Sequence, residues 1–201
     1  VPFYKEKLDK AGVKPSDIKC LADIAKLPFT TKSDLRETYP YGLLAVPQAE
    51  IVEVHMSSGT TGTPVVDAYT ESDLNDWAEA MARSLAGAGA CKNDTIQNAF
   101  GYGLFTGGMG VHHGTRKLGA TIVPISSGNT EKQLTMLRDF KSSIFSCTPS
   151  YALYMAERAK ELGIDLKALN VRAGIFGAEP WSEGMRQKIE EEWGIKAYDI
   201  Y

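Results

Sequence analysis

Cysteine is scarce in this 201-residue chain: Cys20, Cys91 and Cys147 are widely spaced and odd in number. That count excludes a disulfide framework or a cysteine metal cluster and points to reduced thiols in an intracellular, cytoplasmic protein. Positive charge is never concentrated. Lys and Arg number 22 against 25 Asp and Glu, for a formal charge of −3, so no nucleic-acid partner is expected. No apolar run approaches the roughly 18 residues of a membrane helix, and no membrane partner is expected. Val1–Lys10 mixes charges of both signs, unlike a secretion signal. The two common phosphate motifs are also missing. Thr63 follows Gly62 where Gly-x-x-x-x-Gly-Lys-[Ser/Thr] needs a lysine, and Gly-x-Gly-x-x-Gly occurs near Gly101 and Gly103 only with its third glycine misplaced. A Walker-type ATPase and a Rossmann dehydrogenase are thereby set aside.

What is present is an alternation of periods. Strand-like runs at 95–100, 120–125, 143–147, 171–176 and 196–201 are separated by helical stretches at 104–118, 130–140, 150–162 and 182–193. A further helix after residue 70 carries Leu74, Trp77, Ala78, Met81 and Leu85 on one stripe. Strand–helix–strand repetition predicts an α/β fold with a doubly wound, mainly parallel sheet flanked by helices. Residues 1–50, punctuated by Pro15, Pro28, Pro40 and Pro47, read as a lead-in segment with short helices at 2–11 and 32–37. Residues 51–201 read as the α/β domain. The chain begins without Met and stops at Tyr201 inside a strand-like run, so it is read as a fragment and the domain as incomplete.

Ser57-Ser-Gly-Thr-Thr-Gly-Thr-Pro64 stands between two β-rich runs, 51–56 and 65–69. It offers five hydroxyls, and Gly59 and Gly62 permit positive φ, so backbone N–H groups can turn inward around an anion. That chemistry suits a polyphosphate; a flexible hairpin tip is the plainer alternative. In open α/β sheets ligands bind beyond the carboxyl ends of the strands. Small, polar or glycine-rich segments recur there: 101–103, 126–128, 148–150 and 177–180. The run from Phe100 to Gly110 holds five glycines. It reads either as a pocket walled by Tyr102 and Phe105 or as a helix start packed against the sheet. Glu179 reads either as an acceptor for an exocyclic amine or a ribose, or as a capping acid for the helix that follows. Adjacent His112 and His113 point in different directions on a helix and are read as structural, not as metal ligands. Cys147 is read as a small core residue.

Taken together, Ser57–Pro64, Tyr102-Gly-Leu-Phe-Thr-Gly-Gly108, Thr148-Pro-Ser-Tyr151, Ile175-Phe-Gly-Ala-Glu-Pro-Trp181 and Tyr198-Asp-Ile-Tyr201 resemble the adenylate-forming acyl-CoA synthetases. With Val1-Pro-Phe-Tyr4 and Leu27-Pro-Phe-Thr-Thr-Lys32, they resemble most the phenylacetate–coenzyme A ligase family, along essentially the whole chain. The resemblance implies part of the large amino-terminal domain of such an enzyme, with the phosphate loop on a strand–loop–strand unit. It implies an acyl-adenylate formed from ATP and an aryl-acetic acid, then a thioester formed with coenzyme A, with Mg²⁺ assisting. It assigns Ser57, Ser58, Gly59, Thr60, Thr61, Gly62 and Thr63 to the phosphates. Gly177, Ala178, Glu179, Pro180, Asp199 and Tyr201 are assigned to the adenosine. Tyr102, Phe105 and Gly108, with Phe176 and Gly177, are assigned to the acid. No metal ligand is assigned here, since the Mg²⁺-binding acid and the catalytic lysine of the family fall outside the chain. The family also implies a homodimer at full length and an inactive fragment. Thr63 departs from the lysine of many superfamily members, which shifts phosphate binding toward backbone and hydroxyls. The alternatives are a ligase for indoleacetate, hydroxyphenylacetate or benzoate, transfer of the acyl group to another acceptor, or a nucleotide-binding module without catalysis.

Overall fold

The computed structural model describes residues 1–57 and 62–201, and these fall into two compact units, Val1–Ser72 and Asp73–Tyr201. In the first, α1 (Pro2–Lys10) opens with proline at its start, where the missing N–H costs no hydrogen bond. The next helix, α2 (Lys32–Glu37), is capped reciprocally: Thr31 Oγ1 accepts from the Asp34 N–H at 3.3 Å, and the Asp34 carboxylate accepts from the Thr31 N–H at 2.6 Å. Strands β1 (Ile51–Met56) and β2 (Val66–Thr70) form an antiparallel hairpin with His55 opposite Asp67 and Met56 opposite Val66. The hairpin therefore groups with the lead-in segment.

Helix α3 (Glu71–Gly87) begins at the division. The second unit holds β3 (Thr95–Asn98), β4 (Thr121–Val123), β5 (Ile144–Cys147), β6 (Ala173–Gly177) and β7 (Lys196–Ile200), all parallel, in the order β4-β3-β5-β6-β7. Between them run α4 (Thr106–Leu118), α5 (Thr130–Asp139), α6 (Pro149–Glu161) and α7 (Glu183–Trp193). The expected doubly wound sheet is thus observed. Its strand order reverses at β3, which has β4 on one side and β5 on the other, and a crevice opens at such a reversal.

Side-chain alternation along the strands divides the core in two. Phe145 and Phe176 join Leu134, Leu137, Met155, Ile189 and Trp193 in one buried cluster, with α5, α6 and α7. Ile144, Ala173 and Ile175 join Leu85, Ile96 and Val111 in the other, with α3 and α4. Both faces are covered, as a parallel sheet requires. Helix ends follow local chemistry: Asn129 and Ser182 cap the starts of α5 and α7, and Gly119 and Gly194 close α4 and α7 at positive φ.

The amino-terminal edge of this sheet is clamped by one carboxylate. Buried Asp94 accepts from the Cys91 N–H at 2.8 Å, from Ser143 Oγ at 2.6 Å and from Arg172 Nη2 at 2.7 Å, joining the approaches to β3, β5 and β6. Burial pushes its acidity down, but the Ser143, Cys91 and Arg172 contacts outweigh burial and leave the pKa below the ordinary value. In the first unit, the Lys7 ammonium and the Thr31 N–H hold Asp34 at about 2. A carboxylate with a depressed folded pKa stabilises the native state fully above its unfolded value of about 3.9, and that contribution disappears as pH falls through the folded pKa. The chain is therefore expected to lose stability from about pH 4 down toward pH 2. In acid titrations followed by circular dichroism, Asp94→Asn is expected to be less stable at pH 7 and to show a shallower acid dependence. Equal acid slopes for variant and wild type would rule out the clamp as a source.

Candidate functional site at the carboxyl rim

Among the described residues, two cavities lie at the carboxyl ends of the parallel strands. The larger, about 500 Å³, is lined by Ala178, Glu179, Pro180, Trp181, Asp199, Ile200 and Tyr201, at the ends of β6 and β7. The smaller, about 230 Å³, is lined by Ala99, Phe100, Gly101, Ser127, Gly128, Thr148 and Tyr151, at the point where the strand order reverses. The first holds both polar groups and an aromatic wall. The second is bounded by backbone, two hydroxyl side chains and two rings. This is the composition expected of a ligand cleft with a few orienting polar groups.

The backbone at the rim is set by unusual conformations. Ala178 follows β6 at φ 69° and Ser126 follows β4 at φ 67°. A left-handed non-glycine residue costs roughly 1–2 kcal/mol, and such strain concentrates where a ligand is gripped. Gly177 cannot carry a side chain: a Cβ there would stand 2.2 Å from the carbonyl oxygen of Ile200. This places β6 and β7 unusually close at the mouth of the larger cavity.

The glycine-rich run resolves into two parts. In its helical portion, Gly108 presses on the backbone of Gly101, Gly110 on the Trp77 ring and Gly114 on Met81, each closer than a Cβ would allow. That part is close packing of α4 against the β3 loop and α3. Ahead of the helix, Tyr102 is half-buried and tethered, its N–H donating to Ser126 Oγ at 3.2 Å and its hydroxyl lying 2.9 Å from Asn98 Nδ2 and 3.2 Å from His112 Nδ1. Phe105 is the N-cap of α4 and is exposed. Neither ring lines the smaller cavity, whereas Phe100 and Tyr151 do.

Glu179 caps a helix, but not the one that follows it. Its Oε1 accepts from the Ser150 N–H at 2.7 Å, at the start of α6, while α7 is capped by Ser182. With Pro149 lacking an N–H and Thr148 Oγ1 accepting from Tyr151, the first turn of α6 is fully supplied. A carboxylate is favoured there by the helix dipole. Glu179 also lines the larger cavity.

Of the other sequence-derived candidates, Ala178, Pro180, Asp199 and Tyr201 come together with Glu179 in the larger cavity. Gly108 is buried. Phe176 has its ring wholly in the core, 5.3 Å from Phe145 and 5.8 Å from Trp181, so only its backbone reaches the rim. Ser57 closes the hairpin: its N–H donates to the Val65 carbonyl, and its Oγ accepts from the Val65 N–H, both at 2.9 Å. Gly62 takes φ 129°, and Thr63 is exposed; Ser58, Gly59, Thr60 and Thr61 lie outside the described residues. His113 packs edge-on to Trp77 at 5.7 Å. Cys147 is buried, and burial first, then the nearby Glu179 charge, keeps its thiol protonated well above the usual range. No trio of His, Cys, Asp or Glu among the described residues is placed to hold a metal. No helix among them is long and apolar enough to cross a membrane. Sequence alone marks 126–128 and 148–150 as rim segments without giving Ser127, Thr148 or Tyr151 a role. Their signal was position immediately beyond a strand.

The structural neighbours of this α/β chain are adenylate-forming CoA ligases. The crystal structure of a 2-hydroxyisobutyryl-CoA ligase, in an open conformation with 2-HIB-AMP and CoA, superposes with a TM-score of 0.92 at 32% identity, covering 99% of this chain and 48% of that one. An anthranilate CoA ligase complexed with anthranoyl-AMP, 23% identical with a TM-score of 0.60, shares the fold. No protein-family model matches the chain. Curated phenylacetate–coenzyme A ligases from Pseudomonas putida and Escherichia coli (strain K12) are 51% and 50% identical over the whole chain. Along its whole length the chain is similar to these phenylacetate–coenzyme A ligases, and it spans about half the length, 46%, of those curated relatives.

Proposed function

We propose that the protein containing this chain is an ATP-dependent acid–thiol ligase that forms phenylacetyl-CoA, or a close aryl-acetyl-CoA, through an acyl-adenylate. A carboxylate oxygen attacks the α-phosphorus of ATP and pyrophosphate leaves. The thiol of coenzyme A then attacks the acyl carbon and AMP leaves. The observation that carries this reading is the larger cavity at the ends of β6 and β7, where Ala178, Glu179, Pro180, Asp199 and Tyr201 meet around a space suited to a nucleotide.

In this reading Ala178, Glu179, Pro180, Asp199 and Tyr201 receive the adenosine, with Gly177 keeping the backbone close. Tyr102, Phe105 and Gly108 are assigned to the acid, with Phe176 contributing through its backbone. The loop of Ser57, Ser58, Gly59, Thr60, Thr61, Gly62 and Thr63 is assigned to the phosphates. Backbone dipoles and hydroxyls there offset the repulsion between the attacking carboxylate and the polyphosphate. Mg²⁺ would enter with the nucleotide, held largely by phosphate oxygens. Family resemblance further supports a cytoplasmic homodimer, which a monomeric mass in light scattering would contradict.

Pyrophosphate release measured with ATP, Mg²⁺ and a panel of acids, with and without coenzyme A, tests the proposal. Release is expected to be strongest with phenylacetate and to yield its thioester once coenzyme A is added. A different preferred acid would move the substrate but keep the chemistry. No release with any acid, despite ATP binding, would leave a nucleotide-binding module.

A further inference from the structure

Asn98, the last residue of β3, is completely buried beneath the strand reversal. Its amide uses every hydrogen-bonding capacity it has. Nδ2 donates to the Gly108 carbonyl at 2.8 Å and to the Tyr102 hydroxyl at 2.9 Å. Oδ1 accepts from Ser146 Oγ at 3.0 Å and from the Phe100 N–H at 3.3 Å. The amide cannot be turned over, because a carbonyl oxygen at Gly108 and an N–H at Phe100 dictate which end faces which. One side chain thus joins β3, β5, the loop after β3 and the first turn of α4. The Tyr102 hydroxyl that accepts from Asn98 also lies within hydrogen-bond distance, 3.2 Å, of His112 Nδ1.

We propose that Asn98 is a positioning residue for acid binding: its amide holds Tyr102 and the Gly108 turn of α4 in the one arrangement that receives the carboxylic acid. The proposal rests on the assignment of Tyr102 and Gly108 to the acid. It separates two halves of the amide. Oδ1 secures the fold through Ser146 and Phe100, while Nδ2 reaches the two residues assigned to the acid.

Asn98→Asp tests this directly, because it keeps the shape and the acceptors and removes the two donors. In the protein containing this chain, with saturating ATP, Mg²⁺ and coenzyme A, the KM for phenylacetate is expected to rise about tenfold or more, as small displacements of positioning groups do. The KM for ATP is expected to stay within about twofold, since the larger cavity does not include Asn98. Asn98→Leu, which also removes the Oδ1 acceptor, is expected to raise the same KM and to lower Tm as well. Leu137→Ala, a truncation of a fully buried core residue, is expected to lower Tm without moving the KM for phenylacetate. Tyr102→Phe is expected to raise that KM, and adding it to Asn98→Asp is expected to have little further effect, because the two changes break one connection. A second readout needs no turnover: in ¹⁵N-histidine spectra, the His112 Nδ1 resonance is expected to shift in Asn98→Asp.

If Tyr102→Phe raises the KM and Asn98→Asp does not, the positioning role is overturned and the acid assignment stands. If Tyr102→Phe leaves the KM unchanged, the acid assignment fails and the proposal falls with it. If no acid is turned over by the wild type, the ligase reading fails. An unshifted His112 resonance in Asn98→Asp overturns the proposal whatever the kinetics show.

Discussion

Trp193→Ala is expected to destabilise the protein by about 3–5 kcal/mol, the usual range for removing a fully buried large aromatic. Trp193 is 1% exposed, the last residue of α7 and the largest side chain of the core. Its ring lies 4.5 Å from Phe145 of β5, and its indole N–H donates to the Ala152 carbonyl of α6 at 3.0 Å. One residue therefore connects α7, α6 and the centre of the sheet. Truncation leaves a cavity that the α6–α7 pair cannot close without leaving its hydrogen-bonded strands, and it removes a buried hydrogen bond. Trp193→Phe keeps most of the apolar volume and loses the N–H, so about 1–2 kcal/mol is expected. Urea unfolding followed by far-ultraviolet circular dichroism measures both. A loss under about 1 kcal/mol for the alanine variant would show that this face of the sheet repacks freely, contrary to the density expected of a protein core.

Gly177→Ala is expected to cost less stability but to damage the site more. The added Cβ would stand 2.2 Å from the Ile200 carbonyl oxygen and 2.9 Å from its Cγ2, and the nearer atom is backbone, which cannot rotate away. Strands β6 and β7 must part where Gly177 pairs with Ile200. Overpacking of this kind costs about 1–3 kcal/mol. Because Ile200 and its neighbours Asp199 and Tyr201 line the larger cavity, the KM for ATP is expected to rise by about a hundredfold, the effect of roughly 1 Å of misplacement. Gly174→Ala provides the contrast. Its Cβ would meet the Phe176 ring at 2.1 Å, inside the sheet and away from the rim, so it is expected to lower Tm while leaving the KM for ATP near the wild-type value. Equal nucleotide affinity in Gly177→Ala and wild type would remove the larger cavity from the nucleotide assignment.

These contacts show where sequence reading reaches and where it stops. Helices α4 to α7 were legible because the alternation of helical and strand-like runs is local. The rim was legible because the first four strand-like runs of the α/β alternation are each followed by small, polar or glycine-rich residues. The glycine-rich run was only half legible. Whether Gly110 and Gly114 face a ligand or a helix depends on Trp77 and Met81, which lie more than thirty positions earlier in a helix whose docking no local pattern announces. The resemblance assigns Phe176 to the acid, and the structure sets its ring in the core beside Phe145.

By itself, then, the sequence determined which segments become helix or strand, that the sheet is parallel and covered on both faces, and which loops meet at its carboxyl ends. Those properties follow from periodicity, capping and handedness, all of which act over a few residues. Only the tertiary structure decided that Glu179 caps α6 instead of α7, that Asn98 ties Tyr102 to α4 and β5, and that Asp94 gathers three strand starts. Each of these is a hydrogen bond or ion pair whose partners meet because of strand order, and strand order is set by the packing of the whole sheet, not by the residues on either side of the contact.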